Sequence, residues 1–550
     1  MLRSSVGMDL TRRGLITRAA ATAGGALGAR LLTPGVVFAG SHGEAVFEMR
    51  LPHASGVIET KRTFELLGIE PAVAGTQVRA RGLDGNWTEW LNVHTGHDHG
   101  PDGEHSPLSD PVWTGPARAF ELRAERPLHG ARVVLVDSGH PASVAAERYV
   151  DSGLVAGPGQ PRIVARSSWA TAACKPRVPA VFGAVELAFV HHTVSSNYYA
   201  PSQSAAMVRS ICLFHKYGNG WNDIGYNFVV DRFGQVFEAR AGGIDETIVG
   251  AQAGGYNVYS TGVALLGNYS YGGPNRKMFD ALAELLAWKL SIHGIETPGT
   301  VTVQVTRRGA PYSRYRAGAH VKLNRIAGHR DADTTECPGS GMYRQLPRLR
   351  QTVRQLALGV SELSAAATAS APGTVTIVGA LVFADLPVPG ATIEVQQRST
   401  TKPARTIATT TTNPDGTWAA TGPLVRNAQL RAVFRGDDTS PAVVSAGIVA
   451  TVAPQITLTA PATQVTPGGV VEFTGTLTPA KPRVSLVISQ QQPDGSYITV
   501  RTLTFRTADD GSFSRSLGFP AAGQYQVIAH TSADAANALG TSTPFAITVA

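Results

Sequence analysis

Apolar and polar positions set the first boundaries along this chain. From Glu44 to about Asp151 they follow period two, with Phe120, Leu122 and Ala124 alternating with Glu121 and Arg123 and with Val133 to Val136 forming a fully apolar run. That pattern predicts a small β domain. Beyond the stretch Leu154-Val155-Ala156-Gly157-Pro158-Gly159-Gln160-Pro161, read as a linker, the period changes. Met207, Ile211 and Phe214 share one face of a helix predicted over 202–216, and Phe279, Leu282, Leu285, Leu286 and Leu290 form the stripe of a helix over 275–293. The apolar runs Leu187 to Val190, Phe228 to Val230 and Val263 to Leu266 are expected as buried strands between them. After an Ala/Ser-rich linker from Ser361 to Pro372 a repeat begins. Gly373-Thr-Val-Thr-Ile-Val-Gly379 returns as Gly469-Val-Val-Glu-Phe-Thr-Gly475, and Asp415-Gly416-Thr417-Trp418 as Asp510-Gly511-Ser512-Phe513. The expected architecture is an α/β domain, with a mixed central sheet flanked by helices, between an N-terminal all-β domain and two C-terminal immunoglobulin-like β-sandwiches whose Asp-Gly pairs turn hairpins. The predicted spans are 1–39 for a signal segment, 40–153, 161–358, 373–453 and 455–550.

Composition narrows the class. A chain of 550 residues exceeds one hydrophobic core, and 43% apolar with 16% charged residues describes folded domains rather than disorder. Thr11-Arg12-Arg13-Gly14-Leu15-Ile16, the weakly apolar Ala19 to Leu32 and the small-residue site Val37-Phe38-Ala39 read as a twin-arginine export signal, with an ordinary secretory signal as the alternative. Either signal places the protein outside the cytoplasm, secreted or in the cell wall. Residues 1–39 hold five Arg and one Asp, so their removal lowers the net charge from +8 to +4. No Lys/Arg stripe interleaved with aromatics argues for nucleic acid, and no apolar run in the mature part is long enough to span a membrane. Trp87 and Trp90 are expected to pack rather than to stack on sugar. His94, His97, His99 and His105, in a Gly-rich loop, are expected to be solvated rather than metal-bound.

The chemistry concentrates in the α/β part. Phe189-Val190-His191-His192-Thr193, Gly328-His329-Arg330-Asp331 and Thr335-Glu336-Cys337-Pro338-Gly339 bring two His and one Cys from separate segments. That set fits a catalytic zinc, which keeps three protein ligands and leaves a fourth position for water. A single buried His or Cys is more often a core residue. Together with the strings G-W-N-D-I-G-Y-N-F-V-V-D-R-F-G and G-V-A-L-L-G-N-Y, however, these segments resemble the type 2 N-acetylmuramoyl-L-alanine amidase and peptidoglycan recognition protein family over about Pro161 to Leu358.

The resemblance implies zinc held by His191, His329 and Cys337, peptidoglycan as substrate, and cleavage of the amide between the lactyl group of muramic acid and L-Ala. It puts Tyr226 in the cleft as a donor to the developing oxyanion and Thr335 beside it in the catalytic set, with His192, Arg240 and Asn257 as substrate contacts. His192 is also expected to be packed or hydrogen-bonded behind His191. The general base stays open between Asp223 and Asp333. Two positions depart from the pattern: Thr335 stands where phage members carry Lys, and Gln252 where animal members often carry His. With Cys337 assigned to zinc and export favouring oxidation, Cys174 and Cys212 are left to pair as a disulfide. The alternatives are a peptidoglycan-binding protein that does not cut and a zinc peptidase acting on stem peptides. The flanking β domains could bind a cell-wall polysaccharide or simply space the enzyme from a surface.

Overall fold

The computed structural model describes residues 31–32, 35–41, 43–52, 56–71, 73, 75–94, 100–103, 107–128, 130–139, 148–357, 359–368 and 373–550. The Arg12-Arg13 pair and His97, His99 and His105 lie outside them. Within them, no helix is long and apolar enough to cross a membrane.

The N-terminal domain is one curled sheet in the order Gly35–Ala39, Ala45–Arg50, Arg132–Asp137, Ile58–Glu70, Val112–Arg123, Gln77–Gly82 and Leu91–Asn92. Both faces are covered, which explains the unbroken apolar run at 133–136. Val133 and Leu135 join Phe47, Phe64 and Phe120 in the domain's own core. Val134 and Val136 face the other way, onto Met207, Ile211 and Phe214 of the central domain. The segment read as a cleavage site also takes part: Gly35–Ala39 pairs antiparallel with Ala45–Arg50, and Phe38 stacks on Tyr217 with centroids 4.0 Å apart. Trp87 and Trp90 are half-buried under guanidinium groups, Arg79 lying 4.7 and 4.8 Å from the two rings and Arg123 4.2 Å from Trp90. His94 Nδ1 lies 3.2 Å from Asp110 Oδ2.

The central domain is built on a sheet ordered Ile326–Gly328, Leu187–His192, Ser260–Leu265, Phe228–Val230, Val236–Glu238, Ile163–Val164 and Tyr149–Val150. The first four strands run parallel, so both faces need cover. Ala188 and Val190 point to the helices Arg276–Ser291 and Leu346–Ala357, where Leu282, Leu285 and Leu286 are fully buried at about 1.5–3 kcal/mol each. Leu187 and Phe189 point instead to the ribbon Thr300–Gln304 with His320–Asn324. The predicted helices are present as Ser204–Leu213, continued by a wider π turn at Phe214–Gly218, and Arg276–Ser291, capped by Asn275 Oδ1 accepting from Met278 N at 3.0 Å.

Both predicted linkers are structured in their described residues. Leu154 and Ala156 are buried in the central core, Leu154 O accepts from Trp288 Nε1, and Val155 exchanges backbone bonds with Arg435 and Ala442. The Gly/Pro composition correctly marks a chain without its own hydrogen-bonded ladder, but other elements cover it. Ser361–Leu363 and Ala366–Thr368, inside the second predicted linker, likewise pair with Gly373–Phe383.

Each C-terminal domain is two sheets around one core, antiparallel throughout except where Gln464–Val465 runs parallel to Phe545–Val549 in the second. In the first, Gly373–Phe383 with Thr417–Leu424 faces Thr392–Gln397 with Ala428–Phe434. In the second, Gly469–Thr478 with Ser512–Phe519 faces Arg483–Gln491 with Gly523–Thr531. The repeated Asp-Gly turns do not close hairpins. Each passes the chain from one sheet to the other, Arg405–Thr411 to Thr417–Leu424 and Tyr497–Arg506 to Ser512–Phe519. The turn itself is local chemistry, Asp415 Oδ1 accepting from Thr417 N and Asp510 Oδ1 from Ser512 N, and its strands' partners are chosen by core packing.

Candidate metal centre

Parallel register places the site. Val190 pairs with Gly328, so His191 and His329, the latter opening the 3-10 turn His329–Asp331 after its strand, stand side by side near the carboxyl ends of the sheet with ring centroids 4.5 Å apart. The chain after His329 folds back at once: Ala332 N and Asp333 N donate to His329 O, and Arg330 N donates to Cys337 O at 2.8 Å. This return brings Cys337 Sγ to 3.7 Å from His191 Nδ1. One ligand atom from each of His191, His329 and Cys337 falls within 4.8 Å of the others, and the three residues are 1%, 1% and 8% exposed.

The bonds around the triad decide which nitrogen would face a metal held there. Ser260 Oγ donates to Tyr256 O, so it accepts from Gln252 Nε2, and the Gln252 amide must then present Oε1 to His191 Nε2 at 2.5 Å. His191 is therefore protonated on Nε2, with its lone pair on Nδ1, toward Cys337. His329 is oriented in the same way, its Nε2 lying 2.9 Å from Asp333 Oδ2, which also accepts from Gly254 N. An acceptor behind each imidazole is what a metal-ligating His requires, and with a cysteine as third donor the set fits zinc.

Tyr226 lies against His191, centroids 5.4 Å apart, and is 5% exposed. Its position follows from Gly225, whose N donates to His215 Nδ1 and whose O accepts from Ala251 N. Burial pushes the Tyr256 phenol nearby up to about 12, so it stays protonated beside Ser313 Oγ. Thr335 Oγ1 accepts from Cys337 N at 3.0 Å, a bond that shapes the ligand loop.

The other expected residues divide. Arg240 brackets the tyrosine segment, its N donating to Tyr226 O and its Nη1 to Ile224 O. His192, one residue on from His191, points to the opposite face of the sheet, where its Nδ1 accepts from Tyr269 N. That is the packed and hydrogen-bonded position, not one at the triad. Asn257, expected to contact substrate, is 2% exposed and its amide is committed to protein: Oδ1 accepts from Gln252 N and Ala253 N, and Nδ2 donates to Gly100 O and Asp102 Oδ1. Asp223 is ion-paired with Arg166 at 2.6 Å and accepts from Ile224 N and Ala241 N. Cys174 and Cys212 are joined, tying the turn Ala172–Cys174 to the helix Ser204–Leu213. Gln252 is the residue that sequence reasoning left without a role; its only signal was its departure from the family's His.

Residues 182–340 match a family model described as N-acetylmuramoyl-L-alanine amidase, and residues 41–149 one described as Rv3811 N-terminal galactose-binding domain-like. A peptidoglycan-recognition protein of Drosophila simulans is 30% identical over 196 residues, 36% of this chain and 90% of that protein. The peptidoglycan recognition protein of Trichoplusia ni is 32% identical over 164 residues, 30% of this chain and 74% of its own length. The N-acetylmuramoyl-L-alanine amidase of Homo sapiens is 29% identical over 206 residues, 36% of this chain and 30% of its own. Likeness at this level, over nearly the whole of the Drosophila relative, means that through its central domain the chain belongs to the N-acetylmuramoyl-L-alanine amidase and peptidoglycan recognition protein family.

Proposed function

We propose that the protein is an exported zinc-dependent N-acetylmuramoyl-L-alanine amidase that hydrolyses the lactyl–L-Ala amide of peptidoglycan. One observation carries the reading: His191, His329 and Cys337 converge, with an acceptor behind each imidazole, as a three-donor site. A structural zinc would call for four donors, whereas three leave room for chemistry. Zinc held there would polarise a carbonyl and lower the pKa of a bound water. The protein's own part is to fix both tautomers through Gln252 and Asp333, to keep Cys337 in place through the loop bond to Thr335, and to offer the Tyr226 hydroxyl to negative charge developing on the amide oxygen. Arg240 supports the tyrosine segment from behind. In this reading the β domains, the last two immunoglobulin-like, flank the site and could hold wall polysaccharide.

The test is digestion of purified peptidoglycan with product identification by mass spectrometry. Amidase action frees the amino group of L-Ala and leaves intact sugar bearing free lactyl groups. Cys337→Ala is expected to lower zinc content from about one per chain and to abolish release, with the fold retained. Binding with no product would favour recognition alone, and stem peptides cut while lactyl–L-Ala stays intact would favour a peptidase.

A further inference from the structure

A continuous hydrogen-bonded path runs from the N-terminal domain to the His191 imidazole. It begins at Asp102, in the turn Gly100–Gly103 that lands on the central domain. Asp102 Oδ1 accepts from Gly255 N at 3.1 Å and from Asn257 Nδ2 at 2.9 Å, and Oδ2 accepts from Thr306 Oγ1. Gly100 O accepts from the same Asn257 Nδ2 at 2.9 Å. Asn257 passes the constraint on, its Oδ1 accepting from Gln252 N at 2.8 Å and Ala253 N at 3.1 Å. Gln252 ends the path at His191 Nε2.

Each link is saturated. Asn257 has two amide protons, both used by the N-terminal domain, and its one oxygen holds two backbone amides of the segment carrying Gln252. Contact is close enough to need bare backbone: a Cβ on Gly309 would overlap Gly255 N and lie 2.7 Å from Asp102 Oδ1. Without the turn, the Asn257 amide protons would lose these partners, and nothing from the N-terminal domain would pin the side chain in the orientation that holds Gln252 N and Ala253 N.

We infer that Asp102 is a positioning residue of the metal centre, so that the N-terminal domain completes the amidase site rather than merely riding beside it. The inference rests on the zinc reading above. A second contact set holds the domain independently: Glu65, 5% exposed, accepts from Ser138 and from Ser210 of the helix Ser204–Leu213, and Arg209 Nε donates to Ser138 O. Docking and positioning can therefore be separated.

The experiment is chelator-competition titration of zinc on the full chain, with kcat, KM and melting temperature from the same preparations. Asp102→Ala is expected to weaken zinc binding about tenfold, the lower end of what loss of an outer partner costs, and to lower kcat more than KM. Asp102→Asn should restore both, because its Oδ1 still accepts from Asn257 while its Nδ2 can donate to Thr306. Glu65→Gln should lower the melting temperature with zinc affinity unchanged. Should Asp102→Ala fail to fold, Asn257→Asp takes its place: it keeps the acceptor for Gln252 and sets a like charge against Asp102, and the same loss is expected. Parental zinc affinity in Asp102→Ala, or in Asn257→Asp if that is the variant that folds, overturns the inference and leaves the amidase reading standing. A parent chain that binds no zinc overturns both.

Discussion

Tyr226 and Gln252 meet the same imidazole, and they separate two ways of serving a site. Tyr226→Phe keeps the ring beside His191 and removes only the hydroxyl. Loss of an oxyanion donor is expected to cut turnover roughly 100- to 1000-fold, with zinc content and melting temperature hardly moved. Near-normal turnover with a lowered melting temperature would make the tyrosine a packing residue. Gln252→Leu removes the acceptor for His191 Nε2 at a fully buried position. Zinc affinity should fall about 10- to 100-fold, and excess zinc should recover most of the turnover. Unchanged affinity in equilibrium dialysis would mean that the Gln252 bond does not set the tautomer. Sequence spacing could nominate His191, His329 and Cys337, because their residue types carry the chemistry. It could not assign Gln252, whose importance lies in one bond across 61 positions.

Among the elements, the helix Ser204–Leu213 bears the most. It packs on the sheet, receives the N-terminal domain on its outer side, and is anchored by the disulfide to Cys174. The bond closes a 38-residue separation, for which about 3 to 4 kcal/mol of stabilisation is expected. Urea unfolding of a Cys174→Ser/Cys212→Ser pair should show that loss while turnover per folded molecule stays near the parent's, since the triad stands on strands and the 329–337 return. A parental unfolding midpoint would leave the bond without weight. The 3.6-residue period found this helix but not its π-turn ending, where Trp221 N donates to His215 O and Gly225 N to His215 Nδ1. Those partners come from the following loop, which a periodic pattern does not record.

Across the whole molecule, a buried charge cluster joins the central domain to the first C-terminal domain. Arg398 and Arg431 reach Glu246 and Asp245 at 2.7 Å, beside Lys289, whose Nζ donates to Ile244 O and Glu246 O. Burial first, then the charges of Lys289, Arg431 and Arg398, hold the His293 imidazole well below its ordinary 6.5. The unfolded chain takes up this proton below about 6.5 and the folded chain does not, so stability should fall as pH drops through that range. Burial also pushes Lys289 down to about 7 from 10.5, so between those values the unfolded state again holds more protons and stability should rise with pH. His293→Leu is expected to flatten the melting-temperature profile between pH 7 and 5 while leaving the alkaline rise. A variant as acid-sensitive as the parent would place the sensitivity elsewhere.

Local pattern was enough to determine the helices Ser204–Leu213 and Arg276–Ser291, the buried parallel strands and the C-terminal repeat, and to nominate the donor atoms, because each depends on residue type and short-range spacing. Tertiary structure alone decided what those atoms and segments meet. It gave His192 its partner in Tyr269 N, packed Leu154 and Ala156 of the Gly/Pro stretch into the core, and sent the Asp-Gly turns between sheets rather than around hairpins. It also gave Asn257 a partner 155 residues away in another domain. A hydrogen bond is settled by which groups face each other after the layers have packed, and no period or motif in the chain encodes that meeting.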